Sequence, residues 1–383
     1  MHRVRSTRRP GDVLQAFILL SPLLLWLVLY EAYPRWVPPQ RRLPVQDPYW
    51  LPAVDRWIFR KLPLVATAGT AARIASRWIF ATTTAAPAVG LWKRRTLRTR
   101  YRWNRWLLGA GFGMSVVATF MPWAVTHTEG ATHLHLIKVL RPVMDVIAAL
   151  LYSAHALVPF LSGALLLVLA QRPSSNSRWH SPWQRLTPGL LYLNAYGWLN
   201  LLALLTHIAL PTAPPWFLDK YRELFMSDAL SHCPARGRQL HIWQPRGDAA
   251  GLRRIDGRLG IPLFATLYAR NRWVFGAAPS LHVATPALSA LVLRDACRWG
   301  GEERRGHVRW SDPPRTWQMK LLCTFPVIYT GAVLWASVHL EHHYVFDGLV
   351  GVVYACVAKA LRDHTASITH FPREAARLAK QER

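Results

Sequence analysis

The sequence is poor in acid and in cysteine. Of its 383 residues, 20 are Asp or Glu against 47 Lys or Arg, a formal net charge of +27. The four cysteines are Cys233, Cys297, Cys323 and Cys356; only Cys233 lies in a long polar stretch, and no pair has CxxC spacing. That excludes a disulfide framework and a CxxC-type metal site. No internal repeat is visible, which excludes a solenoid or propeller. The first apolar run, Val13–Tyr30, follows the basic residues Arg3, Arg5, Arg8 and Arg9. It is followed by Glu31-Ala-Tyr-Pro, without a small-residue cleavage site. It reads as an anchor rather than a removed signal peptide.

A soluble domain this basic usually presents a basic face to nucleic acid. Here the basic residues stand instead in short blocks between long apolar runs, in a chain that is 51% hydrophobic. That is the pattern of a multi-span membrane protein with Lys and Arg on the cytoplasmic side, so no nucleic-acid partner is expected. The 19 Trp suit interfacial belts.

Runs near spanning length are Val13–Tyr30, Leu107–Val125, Val146–Ala170, Leu190–Leu210, His282–Leu293, Leu321–His339 and Val345–Ala360. A weaker stretch, Leu62–Trp92, is interrupted by Arg73 and Arg77. Basic blocks lie at 93–105, 172–185, 298–315 and 362–383. Alternating spans place all four on the cytoplasmic side. If Leu62–Trp92 crosses, there are eight crossings with both ends inside. If it does not, there are seven and an outside N-terminus. On either count Pro211–Ser280 and His339–His343 share the non-cytoplasmic face, together with His127–Lys138. The expected fold is an all-α polytopic membrane protein. Residues 1–140 form N-terminal membrane segments and basic loops, 141–361 a catalytic transmembrane core, and 362–383 a basic cytoplasmic tail.

Two segments carry chemistry: Phe275-Gly-Ala-Ala-Pro-Ser-Leu-His282 and Ser337-Val-His-Leu-Glu-His-His343-Tyr-Val-Phe-Asp347. In each a histidine stands where a loop meets an apolar span, and ionisable residues at membrane depth suggest function. On a helix, His343 and Asp347 share a face. A carboxylate there fixes the imidazole tautomer and leaves the other nitrogen as a nucleophile or base. His282 is the complementary acid, able to protonate a leaving alkoxide. Ser280 and the backbone amides of the Pro279–Leu281 turn can hold phosphate oxygens at a helix N-terminus. Against this stands the plain reading of His339 or His342 as polar anchors at an interface. A sharper rival is metal binding. His339-Leu-Glu-His342-His343 reads HxxHH, like one histidine box of a di-iron oxygenase, but His127 and His133 are too widely spaced to supply a second box.

With these residues in place, the sequence resembles the phosphatidic acid phosphatase type 2 superfamily. More narrowly, it resembles the fungal inositol phosphorylceramide synthases, from about Asp145 to Ala360. The shared pattern includes Tyr152-Ser-Ala-His155, Asn194-Ala-Tyr-Gly197, Leu210-Pro-Thr-Ala-Pro-Pro-Trp-Phe217, Gly251-Leu-Arg-Arg-Ile-Asp256, Phe275–His282 and His342-His-Tyr-Val-Phe-Asp347. The resemblance implies a six-helix core with a lumenal site, usually in the Golgi. It implies transfer of inositol phosphate from phosphatidylinositol to ceramide, releasing diacylglycerol, without metal or cofactor. It casts His343 as nucleophile, Asp347 as its partner and His282 as acid–base, and leaves room for a regulatory subunit. A phosphatase using water as acceptor is the nearest alternative. A transporter or scaffold would keep the spans without needing the histidines. The superfamily's phosphatases carry Arg after the serine, where Val338 follows Ser337 here, and their KxxxxxxRP motif is echoed only by Lys138-Val-Leu-Arg-Pro142. Arg254, and next to it Arg253, are the candidate cations for the phosphate, with Asp256 orienting Arg254. Trp216 and Phe217 are expected at the membrane surface, where they could line a lipid access path or simply anchor the chain.

Overall fold

The structure, a computed structural model, describes residues 10–37, 50–61, 131–170, 182–226, 246–271, 273–302 and 317–381. The candidate spans Leu62–Trp92 and Leu107–Val125 lie outside the described residues, as do Cys233 and the basic block at 93–105. Among the described residues every regular element is helical: α1 Pro10–Trp36, α2 Trp50–Lys61, α3 Ala131–Ala154, α4 Val158–Ala170, α5 Pro182–Ala209, α6 Pro215–Met226, α7 Arg253–Leu259, α8 Leu263–Ala269, α9 Leu281–Glu302, α10 Trp317–His339 and α11 Val345–Gln381. A single turn of 3-10 helix, His155–Leu157, joins α3 to α4. Helices are what apolar runs must form in lipid, because each backbone N–H and C=O then finds its partner inside the segment.

Among the described residues four stretches are long and apolar enough to cross a membrane: Val13–Trp36, Leu140–Leu169, Pro188–Ala209 and Leu321–His339. The chain is therefore an all-α polytopic membrane protein. The apolar runs His282–Leu293 and Val345–Ala360, short on the sequence, are parts of helices of 22 and 37 residues, α9 and α11. Both helices are charged towards the same end of the bundle. There Arg362 of α11, 3% exposed, and Lys359 reach Asp295 of α9 at 2.9 and 3.0 Å. An isolated carboxylate at that depth would be strongly unfavourable; two cations make it tolerable.

The core explains how closely the helices approach. Ala195, Ala284, Ala287, Ala355 and Ala358 line the contact between α5, α9 and α11, with Leu166, Tyr192, Leu199 and Leu288 filling the gaps. Small residues are what membrane helices use to pack, since lipid supplies no hydrophobic drive between them. The Tyr192 hydroxyl meets Ser289 Oγ at 2.9 Å, so the buried hydroxyls satisfy each other.

α1 packs along α5. The Asn194 side chain donates to Leu19 O at 2.8 Å, and a Cβ at Gly197 would sit 2.4 Å from the Leu23 nitrogen, so only glycine fits there. Farther along, Trp26 meets Tyr196 edge-on, and Tyr30 and Tyr33 both stack on Trp273. α1 thus runs parallel to α5, towards the end of the bundle that holds residues 273–282. Its N-terminus lies at the opposite end, with the Asp295–Arg362 cluster.

Candidate active site

Three loops are tied into one platform at the bundle's end. Thr212 forms a parallel bridge with Gly276. The Thr212 N–H donates to Phe275 O at 3.2 Å, and Ala277 N–H to Thr212 O at 3.2 Å. Thr212 Oγ1 accepts from Ala278 N–H at 2.8 Å. Ser280 N–H then donates to Asp347 O at 3.0 Å, which fixes the first turn of α9 against the first turn of α11. The two helices can approach this far because residue 351 is glycine: a Cβ there would meet Ser280 O at 2.5 Å.

At that junction His282 Nδ1 lies 3.0 Å from His343 Nε2. The other nitrogen of His343, Nδ1, is 2.9 Å from Ala277 O and 3.5 Å from Asp347 Oδ2. Both are acceptors, and a carbonyl oxygen can only accept, so the proton of neutral His343 sits on Nδ1 and Nε2 carries the lone pair. The contact between the rings then requires His282 Nδ1 to be the donor. The order Asp347, His343, His282 expected from spacing is therefore present in space. The sequence did not reveal that a backbone carbonyl holds the tautomer more closely than the carboxylate does. Asp347 Oδ2 also accepts from Tyr344 N–H at 2.9 Å.

The pair is walled by rings. Tyr152 stacks on His282 with centroids 4.3 Å apart and on His342 at 4.9 Å. Tyr268 lies against His342 at 4.8 Å, and His155 against His282 at 4.2 Å. His207 Nε2 meets Pro279 O at 3.2 Å. Burial first, and then His343 beside it, press the His342 pKa down to about 3, so it is a neutral wall rather than a charge. Burial raises the Tyr268 hydroxyl to about 12, so it too stays uncharged. Of the six fully buried side-chain polar atoms without a hydrogen-bond partner among the described residues, three lie here: Ser280 Oγ, Asp347 Oδ1 and His342 Nε2. Buried polar groups are normally satisfied, and exceptions cluster at functional sites. Sequence reasoning gave no role to Tyr152, His155, His207 or Tyr268. The two histidines lie within apolar runs, a signal that could have found them; Tyr268 carries none.

The arginines stand on the rim, already partnered. Arg254 Nε is 3.1 Å from Asp145 Oδ1, its Nη1 is 2.9 Å from Glu341, and its Nη2 donates to His339 O at 3.3 Å. Asp145, wholly buried on α3, also holds Arg258 at 3.1 Å and His339 at 2.9 Å. Arg253 forks onto Asp248, which Lys220 shares. Asp256 does not orient Arg254: its two oxygens accept from Phe264 and Ala265 N–H at 2.9 and 2.8 Å and so cap α8. Trp216 and Phe217 are not at the surface either, being 7% and 0% exposed. They pack with Ala213 and Phe275, and Trp216 N–H donates to Glu341 O.

The HxxHH segment does not behave as a metal box. His339 faces Asp145, His342 lies between two tyrosines, and His343 faces His282. The three rings point to three different surroundings. Among the described residues no three His, Cys, Asp or Glu side chains group as a metal site requires.

Comparison with known proteins gives relatives of one kind. The chain is 25% identical over 225 residues to the catalytic subunit of inositol phosphorylceramide synthase from Schizosaccharomyces pombe, covering 58% of this chain and 41% of that one. It is 26% identical over 212 residues to inositol phosphorylceramide synthase of Candida albicans, 55% of this chain and 34% of that one. It is 26% identical over 212 residues to phosphoinositol dihydroceramide synthase of Bacteroides thetaiotaomicron, 55% of this chain and 52% of that one. The chain thus spans from a third to about half the length of these curated relatives. No family model and no solved structure matches it.

Proposed function

We propose that this chain, a relative of the inositol phosphorylceramide synthases over more than half its length, transfers inositol phosphate from phosphatidylinositol to ceramide and releases diacylglycerol. The observation that carries the proposal is the unprotonated Nε2 of His343, which accepts from His282 and is backed through Nδ1 by Ala277 O and Asp347. In the first half-reaction the donor phosphorus takes the place of the His282 proton at Nε2. A P–N bond forms, the P–O bond to diacylglycerol breaks, and the departing alkoxide takes a proton from His282 in its imidazolium form, which is left as the neutral imidazole. In the second, the now basic His282 accepts the proton of the ceramide hydroxyl, whose oxygen attacks phosphorus and expels His343. Splitting one difficult displacement into two easier ones is ordinary nucleophilic catalysis. The Ser280 hydroxyl and the N-terminus of α9 steady the phosphate oxygens. Arg254 and Arg253 serve the headgroup from the rim, and Trp216 and Phe217 support the turn that carries the histidines. Both lipids arrive by diffusion in the membrane. No metal enters this scheme.

The purified chain, given phosphatidylinositol and fluorescent ceramide in excess chelator, is expected to form a fluorescent phosphoinositol lipid. Release of inositol phosphate to water alone would make it a phosphatase. Loss of activity on chelation, restored by iron, would favour the oxygenase reading. The S. pombe relative is named a catalytic subunit, so a regulatory subunit is proposed as a partner here. Activity that appears only when such a partner is added would identify it.

The site is proposed to face the lumen, in the Golgi where the cell has one, because the basic blocks belong on the cytoplasmic side. Single cysteines introduced in Pro211–Ser280 and in Gly300–Pro314 should react with an impermeant reagent from opposite sides of sealed vesicles. Labelling of both from one side would contradict this orientation.

A further inference from the structure

The N-terminus of α11 is capped by a residue almost three hundred positions upstream. The Asp55 carboxylate of α2 accepts from Val345 N–H at 3.1 Å through Oδ2 and from Phe346 N–H at 2.9 Å through Oδ1, across 290 and 291 residues of sequence. A helix leaves its first N–H groups without partners and attracts negative charge to that end. Asp347, the third residue of the helix, reaches back to Tyr344 N–H as an acid at that position does; it does not serve the Val345 and Phe346 amides, and one of its oxygens keeps no partner among the described residues.

We propose that Asp55 is a positioning residue: by tying the Val345 and Phe346 amides to α2 it fixes the first turn of α11, and with it the placement of Asp347 against His343. The inference rests on the histidine reading of the site. The rest of α2 supports it, since Trp50 meets Phe346 edge-on, and Leu51, 1% exposed, packs with Ala277 and Ala278. One short helix thus touches both catalytic turns, including the residue whose carbonyl holds the His343 proton.

Burial, with the charge of Asp347 added, lifts the Asp55 carboxyl from the ordinary range to about 6, against the pull of the two amides. A carboxyl whose pKa is raised by folding makes the folded state less stable as pH rises towards that value, and the full penalty stands above it. Ionisation of Asp55 therefore lessens what it contributes to stability as the pH rises towards neutrality.

The test compares Asp55→Ala, Asp55→Asn, Asp347→Asn and the Asp55→Ala/Asp347→Asn pair, with His343→Ala as reference. The substrate is a phosphoinositol donor bearing a nitrophenyl leaving group. Losing a two-bond cap is expected to lower kcat about tenfold with KM unchanged. Asp55→Asn, which keeps one acceptor, should recover part of that loss, and its thermal midpoint should not fall. In the double variant the losses should not multiply: kcat should lie within about threefold of Asp347→Asn alone, because Asp55 acts through Asp347. Amide exchange across residues 340–350 should quicken in Asp55→Ala. Wild-type kcat in Asp55→Ala, or multiplied losses in the pair, would overturn the proposal. Should Asp55→Ala fail to fold, Asp55→Asn decides it: a lower thermal midpoint with unchanged kcat overturns the positioning role. An active His343→Ala would instead overturn the histidine reading, and faster exchange would still report the cap.

Discussion

His343→Ala is expected to abolish both half-reactions, with the natural donor and with an activated one alike. Its Nε2 has the free lone pair at the junction of α9 and α11, and no other described nitrogen there is held in the same way by both a carbonyl and a carboxylate. His282→Ala should behave differently. Loss of a general acid costs about a hundredfold to ten-thousandfold when the leaving group is a poor one such as an alkoxide. A nitrophenolate needs no proton, so with a nitrophenyl donor the His282 variant should release nitrophenol within about tenfold of the wild-type rate. The structure sharpens the contrast, because among the described residues His282 Nδ1–H is the group hydrogen-bonded to the His343 lone pair. Nitrophenol release, followed optically with both donors, separates the two roles. If His343→Ala turned over the activated donor while His282→Ala could not, the roles are exchanged. Detergent gel filtration would check that each variant folds.

Asp347→Asn carries the second large effect, and the structure bears on its size. Where a carboxylate alone fixes an imidazole tautomer, replacing it by an amide can lose about ten-thousandfold, because the ring reverses. His343 has a second guardian in Ala277 O at 2.9 Å, nearer than Asp347 at 3.5 Å. The tautomer should therefore survive, leaving only the loss of negative charge behind a developing imidazolium. A fall in kcat of about a hundredfold is expected, with little change in KM. No change would reduce Asp347 to a cap for Tyr344 N–H. A ten-thousandfold fall would mean that Ala277 O does not hold the ring.

The sequence made the helical, multi-span character plain because apolar runs and basic blocks alternate along it, and lipid permits few other solutions. It brought His282, His343 and Asp347 to one face by the rule that spans alternate, and the structure places them in contact. It understated α9 and α11, whose charged residues break the apolar run while being neutralised in space, as Asp295 is by Arg362 and Lys359. It misplaced Trp216 and Phe217, because aromatic content cannot tell an interfacial belt from a ring turned under a loop. Asp145 escaped notice as one acid in an apolar span, although that rarity was itself a signal. The Ala277 carbonyl and the Asp55 cap were beyond reach: the first is a backbone atom, and the second joins segments that share no local pattern.

The most direct test of the central claim is to stop the reaction in mid-course. Wild-type protein is mixed with donor labelled in its phosphate, without acceptor, and quenched in alkali. The phosphoinositol should remain attached to the protein as an acid-labile phosphoramidate on the peptide containing His343. It should be discharged by adding ceramide before the quench, and should be absent from His343→Ala. Turnover at the full rate with no labelled protein at any time, or label that persists in His343→Ala, would contradict the account.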